Sequence, residues 1–436
     1  MNFPHVRIYQ LALRTFTPEG TLRAASKLLR HIRSCGFTHV QLTPVVESDN
    51  NPNRDHWSKR QRASGMENPK NPYILKDYYD IDPEYGTADD LSFFVHEAHA
   101  AGLKVMLDLV YYHCGRNATL VTEHPAWMLR DADGNVRIGE WNTPSPDYAN
   151  PELCAYMWEN MEYFIRTFDI DGYRCDVGDL VPIGFWKEGI RRCRALKPDF
   201  FMLNEGRSIA WLSEFDCNYF YPCCFDSVKI SQGTMRASDY QQAWQAWRSQ
   251  LPDGKACLHF LDNHDVCSDS FDQRMEKVLG NEAMEVQNVL IYTLDGIPFV
   301  FNGNEIADDR KHSLFSSRFH GRDDTLPWEN VLCENGQRRM EVMKNLNALR
   351  DAYEALNSPD LCWLDHDCQD AVLAYVRPGP EQVLVVLNLR DAPVEVHLEK
   401  QPDWLKPVLQ HMAKYRLDTD GFSVQLLGYG YLVAVF

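Results

Sequence analysis

Basic residues are in short supply in this 436-residue chain: 44 Lys and Arg face 62 Asp and Glu, leaving a net charge of −18 with no Lys/Arg cluster. That excludes nucleic acid and anionic membranes as natural partners and is compatible with a neutral substrate such as a sugar. No stretch of about 18 apolar residues exists to span a bilayer. The start, Met-Asn-Phe-Pro-His-Val-Arg-Ile, lacks the basic patch, apolar core and small-residue cleavage site of a leader, so a cytoplasmic location is expected. The 13 cysteines are odd in number and scattered, with Cys223-Cys224 adjacent but no second pair at ligand spacing. Reduced thiols fit this pattern. There is no internal repeat and no low-complexity tract.

What is present is enough apolar material for a large core: 44% hydrophobic residues, including 11 Trp, 20 Tyr and 21 Phe. The length fits a barrel with a small accessory domain. The chain is organised around Asp169 to Asp179, D-I-D-G-Y-R-C-D-V-G-D, where Arg174 and Asp176 stand two residues apart after an apolar run. On a strand both face the same way. A cation there holds a carboxylate ionised and lowers its pKa, which suits an anionic nucleophile, although an ordinary structural ion pair reads equally well from these residues alone.

Other apolar runs end in the same manner. Phe200 to Leu203 leads to Asn204-Glu205, Ala256 to Leu261 leads to Asp262-Asn263-His264-Asp265, and Lys104 to Val110 carries Asp108 with His113 just beyond. Short buried strands with polar residues at their carboxyl ends are the arrangement of a (β/α)8 barrel.

The alternation can be followed along the chain. Val6 to Leu13 reads as a first strand, Thr21 to Ser34 as a helix closed by Cys35-Gly36, and Phe37 to Thr43 as a second strand. Residues 45–76 form a long polar connection holding Trp57 and Tyr73. Thr87 and Asp90 make a capping box for a helix with Leu91, Phe94, Val95 and Ala98 on one face. Residues 114–150 interrupt the pattern. Helices are predicted at Pro151 to Thr167, Pro182 to Leu196, after the fifth strand near Asp239 to Gln250, and at Gly336 to Glu354. Strand six is placed near Phe215 to Tyr219 and strand eight at Pro298 to Phe301. From about Asp360 the helices stop, and five strands (371–376, 382–389, 394–398, 421–427 and 429–435) predict a small antiparallel β domain.

Four segments together resemble, in order, the signature regions of the α-amylase family, glycoside hydrolase family 13: D-L-V-Y-Y-H (Asp108 to His113), G-Y-R-C-D (Gly172 to Asp176), the strand ending at Glu205, and D-N-H-D (Asp262 to Asp265). D-Y-A-N-P-E-L (Asp147 to Leu153) and G-I-P-F-V-F-N-G-N-E (Gly296 to Glu305) agree. The resemblance implies an α/β fold, a (β/α)8 TIM barrel over residues 1–113 and 151–357, with a short domain B excursion after strand 3 (114–150) and a C-terminal antiparallel β domain (358–436). It implies retaining cleavage of α-1,4-glucosidic bonds in maltodextrins, with Asp176 as nucleophile, Glu205 as acid/base and Asp265 as a third carboxylate on the sugar hydroxyls. Tyr73, His113, Arg174 and His264 match the family's substrate-binding positions, and Asp108 reads as a buried supporting residue. Trp57 and Trp141 read equally as sugar platforms or loop packing.

Departures limit the resemblance. Tyr112 stands where many α-amylases place a calcium-binding asparagine, and Gly178-Asp179 replaces a Lys-His pair, so neither calcium nor any other cofactor is expected and starch-type endo action loses support. Asp131 to Asn135 resembles part of a calcium loop but reads as a polar turn. The rival functions are an α-glucosidase or transglycosylase of the same family, a non-catalytic glycan-binding protein on the same fold, and a metal-dependent hydrolase using His113, His264 and Asp265 as ligands.

Overall fold

The structure, a computed structural model, describes residues 5–267, 274–320, 324–398, 404–418 and 421–436. Eight strands form a closed parallel barrel in sequence order: β1 (Ile8–Leu11), β2 (His39–Leu42), β3 (Lys104–Leu109), β4 (Gly172–Cys175), β5 (Phe201–Asn204), β6 (Cys217–Tyr219), β7 (Ala256–His259) and β8 (Ile297–Phe301). Ile8 lies opposite His39 on one side and Phe299 on the other, which closes the ring. All residues of β1, β2, β4, β5, β6 and β8 are buried. Burial on both faces is why these strands read as short apolar runs without alternation. Gly172 opens β4 because a Cβ there would lie 2.6 Å from the Phe201 carbonyl across the β4–β5 pair.

Around the barrel, Thr87 and Asp90 form the expected capping box of the helix Ala88–Ala100, and Asn150 caps Pro151–Phe168 through the N–H groups of Glu152 and Leu153. Ile183–Leu196 and Glu334–Ala352 also match their expected places. Three expectations need correction. The helix expected over Thr21 to Ser34 is two, Leu22–Ser26 and Leu29–Ser34, because Leu28 turns out of helical geometry with ψ near 1°. The helix expected after the fifth strand is Ala237–Arg248 and follows β6, preceded by an unforeseen helix Tyr221–Ser231. Asn281–Thr293 also escaped the sequence reading, since residues 283–293 are all buried and no polar face marks the period.

The excursion at 114–150 holds two short helical turns, Thr119–Thr122 and Pro125–Trp127, and isolated bridges such as Met128 with Pro146 and Arg130 with Val136. The C-terminal sheet comprises β9 (Cys362–Trp363), β10 (Val372–Arg377), β11 (Val383–Asn388), β12 (Val394–Leu398), β13 (Lys406–Asp418) and β14 (Gly421–Val435). Its order is β12-β14-β11-β10-β9, with β13 along β14. The two strands expected at 421–427 and 429–435 are the single β14, which passes through Tyr429 at φ 58°. β13 was not foreseen: Met412, Tyr415 and Leu417 are exposed and two register shifts interrupt it, so no clean alternation exists to read. The sheet docks on Asn281–Thr293 through Thr293 Oγ1 to Tyr375 Oη at 2.7 Å and Tyr431 Oη to Glu285 at 2.8 Å. No helix among the described residues is long and apolar enough to cross a membrane.

Candidate active site

Ladder hydrogen bonds carry the carboxylates to one end of the barrel. Asp176 is the first residue past β4, and its N–H still donates to the Leu109 carbonyl at 2.9 Å; Glu205 is the first past β5 and donates to the Cys175 carbonyl at 3.0 Å. Asp265 lies in the turn after β7, where Asn263 Oδ1 accepts from the Asp265 and Val266 N–H groups at 3.0 and 2.8 Å. Carboxyl ends of barrel strands are where this fold gathers its chemistry.

Arg174, fully buried, organises them. Its Nη1 donates to Asp108 Oδ1 at 2.8 Å and to Asp176 Oδ1 at 2.9 Å. Its Nη2 lies 2.8 Å from Glu205 Oε2 as an ion-pair contact, too poorly angled to be a hydrogen bond. Asp108 Oδ2 accepts from Tyr73 Oη at 2.8 Å and Gln41 at 3.3 Å, so Asp108 supports the cation and has no free face for chemistry. One cation therefore stands against three carboxylates, of which Asp108 and Asp176 are buried and Glu205 nearly so.

Burial reverses the net shift of Asp176, although Arg174 lowers it as expected. Burial is the largest influence on Asp176 and on Glu205, and it raises both despite Arg174. Two buried acids beside a single cation do not both ionise readily, and Glu205, which is shifted further, takes the proton first. A backbone contact opposes this: Val177 N–H donates to Glu205 Oε2 at 2.8 Å, from a left-handed conformation (φ 39°) unusual for a β-branched residue. Asp265 behaves in the opposite way. Burial raises it, but the neighbouring charges outweigh burial and hold it well below the usual carboxylate range. The charges that lower it are His264, Arg60, whose Nη1 pairs with Asp265 Oδ1, and Arg174; His264 itself is pushed down to about 3 by burial and is neutral at pH 7, where the two arginines remain.

The surrounding side chains enclose a cavity of about 510 Å³. Tyr73 stacks on His264 with ring centroids 4.9 Å apart and planes 7° from parallel. Gln10, inside β1, donates from Nε2 toward His264 Nδ1 at 3.0 Å and accepts the His264 N–H at 3.0 Å, which leaves Nε2–H of that ring facing Asp265 Oδ2 at 3.5 Å. His113 donates from Nε2 to the Tyr73 carbonyl at 2.7 Å and is kept neutral by burial, its pKa lowered to about 4. Trp141 borders the cavity 5.1 Å from the His113 ring. Trp57 does not: it is buried with Nε1 donating to the Asn51 carbonyl at 2.8 Å, so it packs the loop.

The structure thus brings Tyr73, His113, Asp176, Glu205, His264 and Asp265 to one cavity, with Arg174 and Asp108 beneath it. Sequence reasoning missed Arg60, Tyr221 and Phe225 on the wall, and Asp179, which accepts from Asn204 Nδ2 (2.8 Å) and the N–H groups of Arg207 and Ser208 (2.7 and 2.9 Å) and so fixes the loop after Glu205. The D-V-G-D spacing was visible, but nothing local to it says that Asp179 reaches across to residues 204–208.

The metal-ligand alternative fails on geometry. Among the described residues the one group of three ligand atoms within 4.8 Å is Cys257, His259 and Asp295, which does not include His113, His264 or Asp265. There His259 Nε2 is occupied by the Asp295 carbonyl, and Arg248, 2.8 Å from Asp295, already supplies the positive charge. Asp131 to Asn135 is a polar turn, with Asp131 Oδ1 accepting from the N–H groups of Asp133 and Asn135 at 3.0 and 2.9 Å.

The family model described as "Alpha amylase, catalytic domain" matches residues 12–133 and 123–353. The chain belongs to the α-amylase family. It is therefore a glycoside hydrolase by family, as its relatives are. A cyclomaltodextrinase of Geobacillus thermopakistaniensis is 25% identical over 449 residues, covering 95% of this chain and 70% of that protein. An intracellular maltogenic amylase of Bacillus subtilis (strain 168) is 24% identical, covering 90% and 67%. The chain spans only 64% of the maltogenic α-amylase of Bacillus acidopullulyticus. In fold, a maltogenic α-amylase from Thermotoga neapolitana superposes with a TM-score of 0.84 at 24% identity, covering 100% of this chain and 99% of that one.

Proposed function

We propose that this α-amylase-family chain cleaves α-1,4-glucosidic bonds of maltodextrins and related α-glucans with retention of configuration. The observation that carries the reading is Arg174, whose two terminal nitrogens touch Asp176 and Glu205 at 2.9 and 2.8 Å at the barrel mouth. A nucleophile and an acid flanking one glycosidic bond must differ in protonation, and a shared cation with unequal burial shifts produces that difference. Asp176 attacks the anomeric carbon while Glu205 protonates the leaving oxygen. Glu205, then ionised, takes a proton from the water that releases the sugar from Asp176. Asp265, held ionised by Arg60, receives the sugar hydroxyls, and neutral His113 and His264 complete the polar lining. On this reading residues 1–113 and 151–357 are the catalytic barrel, 114–150 its short B excursion and 358–436 the C-terminal domain. The 13 free cysteines and the relative named as intracellular support a cytoplasmic setting.

The test is proton NMR of maltoheptaose incubated with the protein, following the anomeric signals over the first minutes. New reducing ends in the α form confirm retention, and initial β-anomer contradicts it. Appearance of chains longer than the substrate would move the assignment to transglycosylation. Binding without turnover of any α-glucan would leave the glycan-binding reading.

A further inference from the structure

The two sides of the cavity are built differently. On the Asp265 side, the helix Lys59–Ala63 in the connection after β2 carries Arg60 inward, where Nη1 pairs with Asp265 Oδ1 and Nη2 donates to the Asp265 carbonyl at 3.3 Å. That helix is tied into a wall. Buried Gln61 donates to the carbonyls of Asn68 and Pro69 at 2.9 and 3.0 Å, and buried Asn68 donates to the Phe315 carbonyl, beyond β8, at 2.9 Å. Arg14 repeats the tie, reaching the carbonyls of Leu314 at 2.9 Å and Lys70 at 3.2 Å. From the excursion after β3, Asn142 donates to the carbonyls of Asp55 and Trp57 at 2.6 and 3.2 Å. Segments after β2, β3 and β8 are thus stitched into one rim.

Elsewhere on the wall of the same cavity Tyr221 and Phe225 lie with their rings 6.2 Å apart and 6° from parallel, both half-buried. Glu205 lines the same cavity as these two rings. Flat aromatic faces suit a sugar chain passing over them.

Chemistry orients the substrate between these sides. The glycone, whose anomeric carbon meets Asp176, lies toward Asp265; the leaving chain departs past Glu205 toward Tyr221 and Phe225. A glucan continuing beyond the glycone would have to displace the Arg60 guanidinium from the Asp265 carboxylate, and breaking a partly desolvated charge pair is unfavourable. We propose that Arg60 closes the glycone end of the cavity and is a specificity-determining residue, so that the chain removes short units from the non-reducing ends of α-glucans and does not cut within them. This rests on the hydrolase reading above.

The test compares 4-nitrophenyl maltoheptaoside having a free non-reducing end with the same compound carrying a 4,6-O-ethylidene block there, using the full chain and product chromatography. The expected result is consumption of the free compound with short sugars released first, and at least about tenfold slower consumption of the blocked one. Arg60→Ala should narrow that gap to about threefold or less by admitting internal segments. Equal rates on the two compounds for the unaltered chain overturn the inference while leaving the hydrolase reading intact; consumption of neither overturns both. An unchanged gap in a folded Arg60→Ala removes Arg60 as the cause. Should that variant fail to fold, Arg60→Gln, which removes the charge and keeps much of the volume, replaces it, and a gap unchanged there has the same meaning.

Discussion

Val177 donates its backbone N–H to Glu205 Oε2 at 2.8 Å while held at φ 39°, so the residue following the proposed nucleophile also positions the proposed acid. The two carboxyl groups are coupled mechanically by one strained residue and electrically by one guanidinium. An L-residue with a branched β-carbon persists in that conformation only when its surroundings fix it, and sites of this kind cluster where chemistry requires preorganisation.

The pH dependence follows from the raised carboxyls. Burial lifts Asp176 above its ordinary range, so the acid limb of kcat/KM is expected well above the pH at which a free aspartate ionises, and Glu205, lifted further, sets the alkaline limb. Glu205→Gln assayed with a 2,4-dinitrophenyl maltoside, whose leaving group needs no protonation, should lose the alkaline limb and keep the acid one. Retention of the alkaline limb in that variant would assign it to another group.

Asp176→Asn preserves volume and the contact with Arg174 but cannot form a glycosyl ester. Turnover of maltoheptaose should fall on the order of a thousandfold or more, with circular dichroism unchanged. A folded variant with near-normal turnover would remove Asp176 from the nucleophile's role.

Much of this arrangement was legible in the sequence because it is carried by strands. Asp176 and Glu205 end apolar runs, and the β-strand period alone places Arg174 and Asp176 on one face. The contributions of Arg60, Gln10, Asp179 and Tyr221 were not legible. Arg60 meets Asp265, 205 positions further along the chain, through a loop whose course depends on Gln61, Asn68 and Phe315. The direction of the Asp176 shift was also misjudged, since adjacency to Arg174 is visible in a sequence and the extent of burial is not. In the same way Asn281–Thr293 went unread because burial on all sides erased its period, and β13 because apolar side chains face solvent.

Trp141 separates binding from chemistry. It borders the cavity against His113 but touches none of the three carboxylates through any hydrogen bond or ion pair among the described residues. Losing one aromatic face is worth on the order of 1 kcal/mol, so Trp141→Ala should raise KM for maltoheptaose about five- to tenfold with kcat within about twofold. A fall in kcat with KM unchanged would mean that Trp141 acts through His113 on the reacting sugar.

Arg174 supports a stability prediction with a defined pH sign. Its guanidinium faces buried Asp108 and Asp176 and the largely buried Glu205, and removing it leaves their negative charge uncompensated. Arg174→Met should cost about 3–5 kcal/mol at pH 7.5, the usual scale for breaking a buried ion pair from one side. The three carboxyls already lie above their unfolded values, and losing the cation raises them further. The folded variant then binds more protons than the unfolded chain across the window between the unfolded and folded pKa values, so its stability falls as pH rises through that window and recovers as pH is lowered toward 5. Urea unfolding of both proteins at pH 5 and 7.5 measures this. The difference between them should be smaller at pH 5, and a difference that stays constant or grows on acidification would show that the three carboxylates do not carry the charge assigned to them.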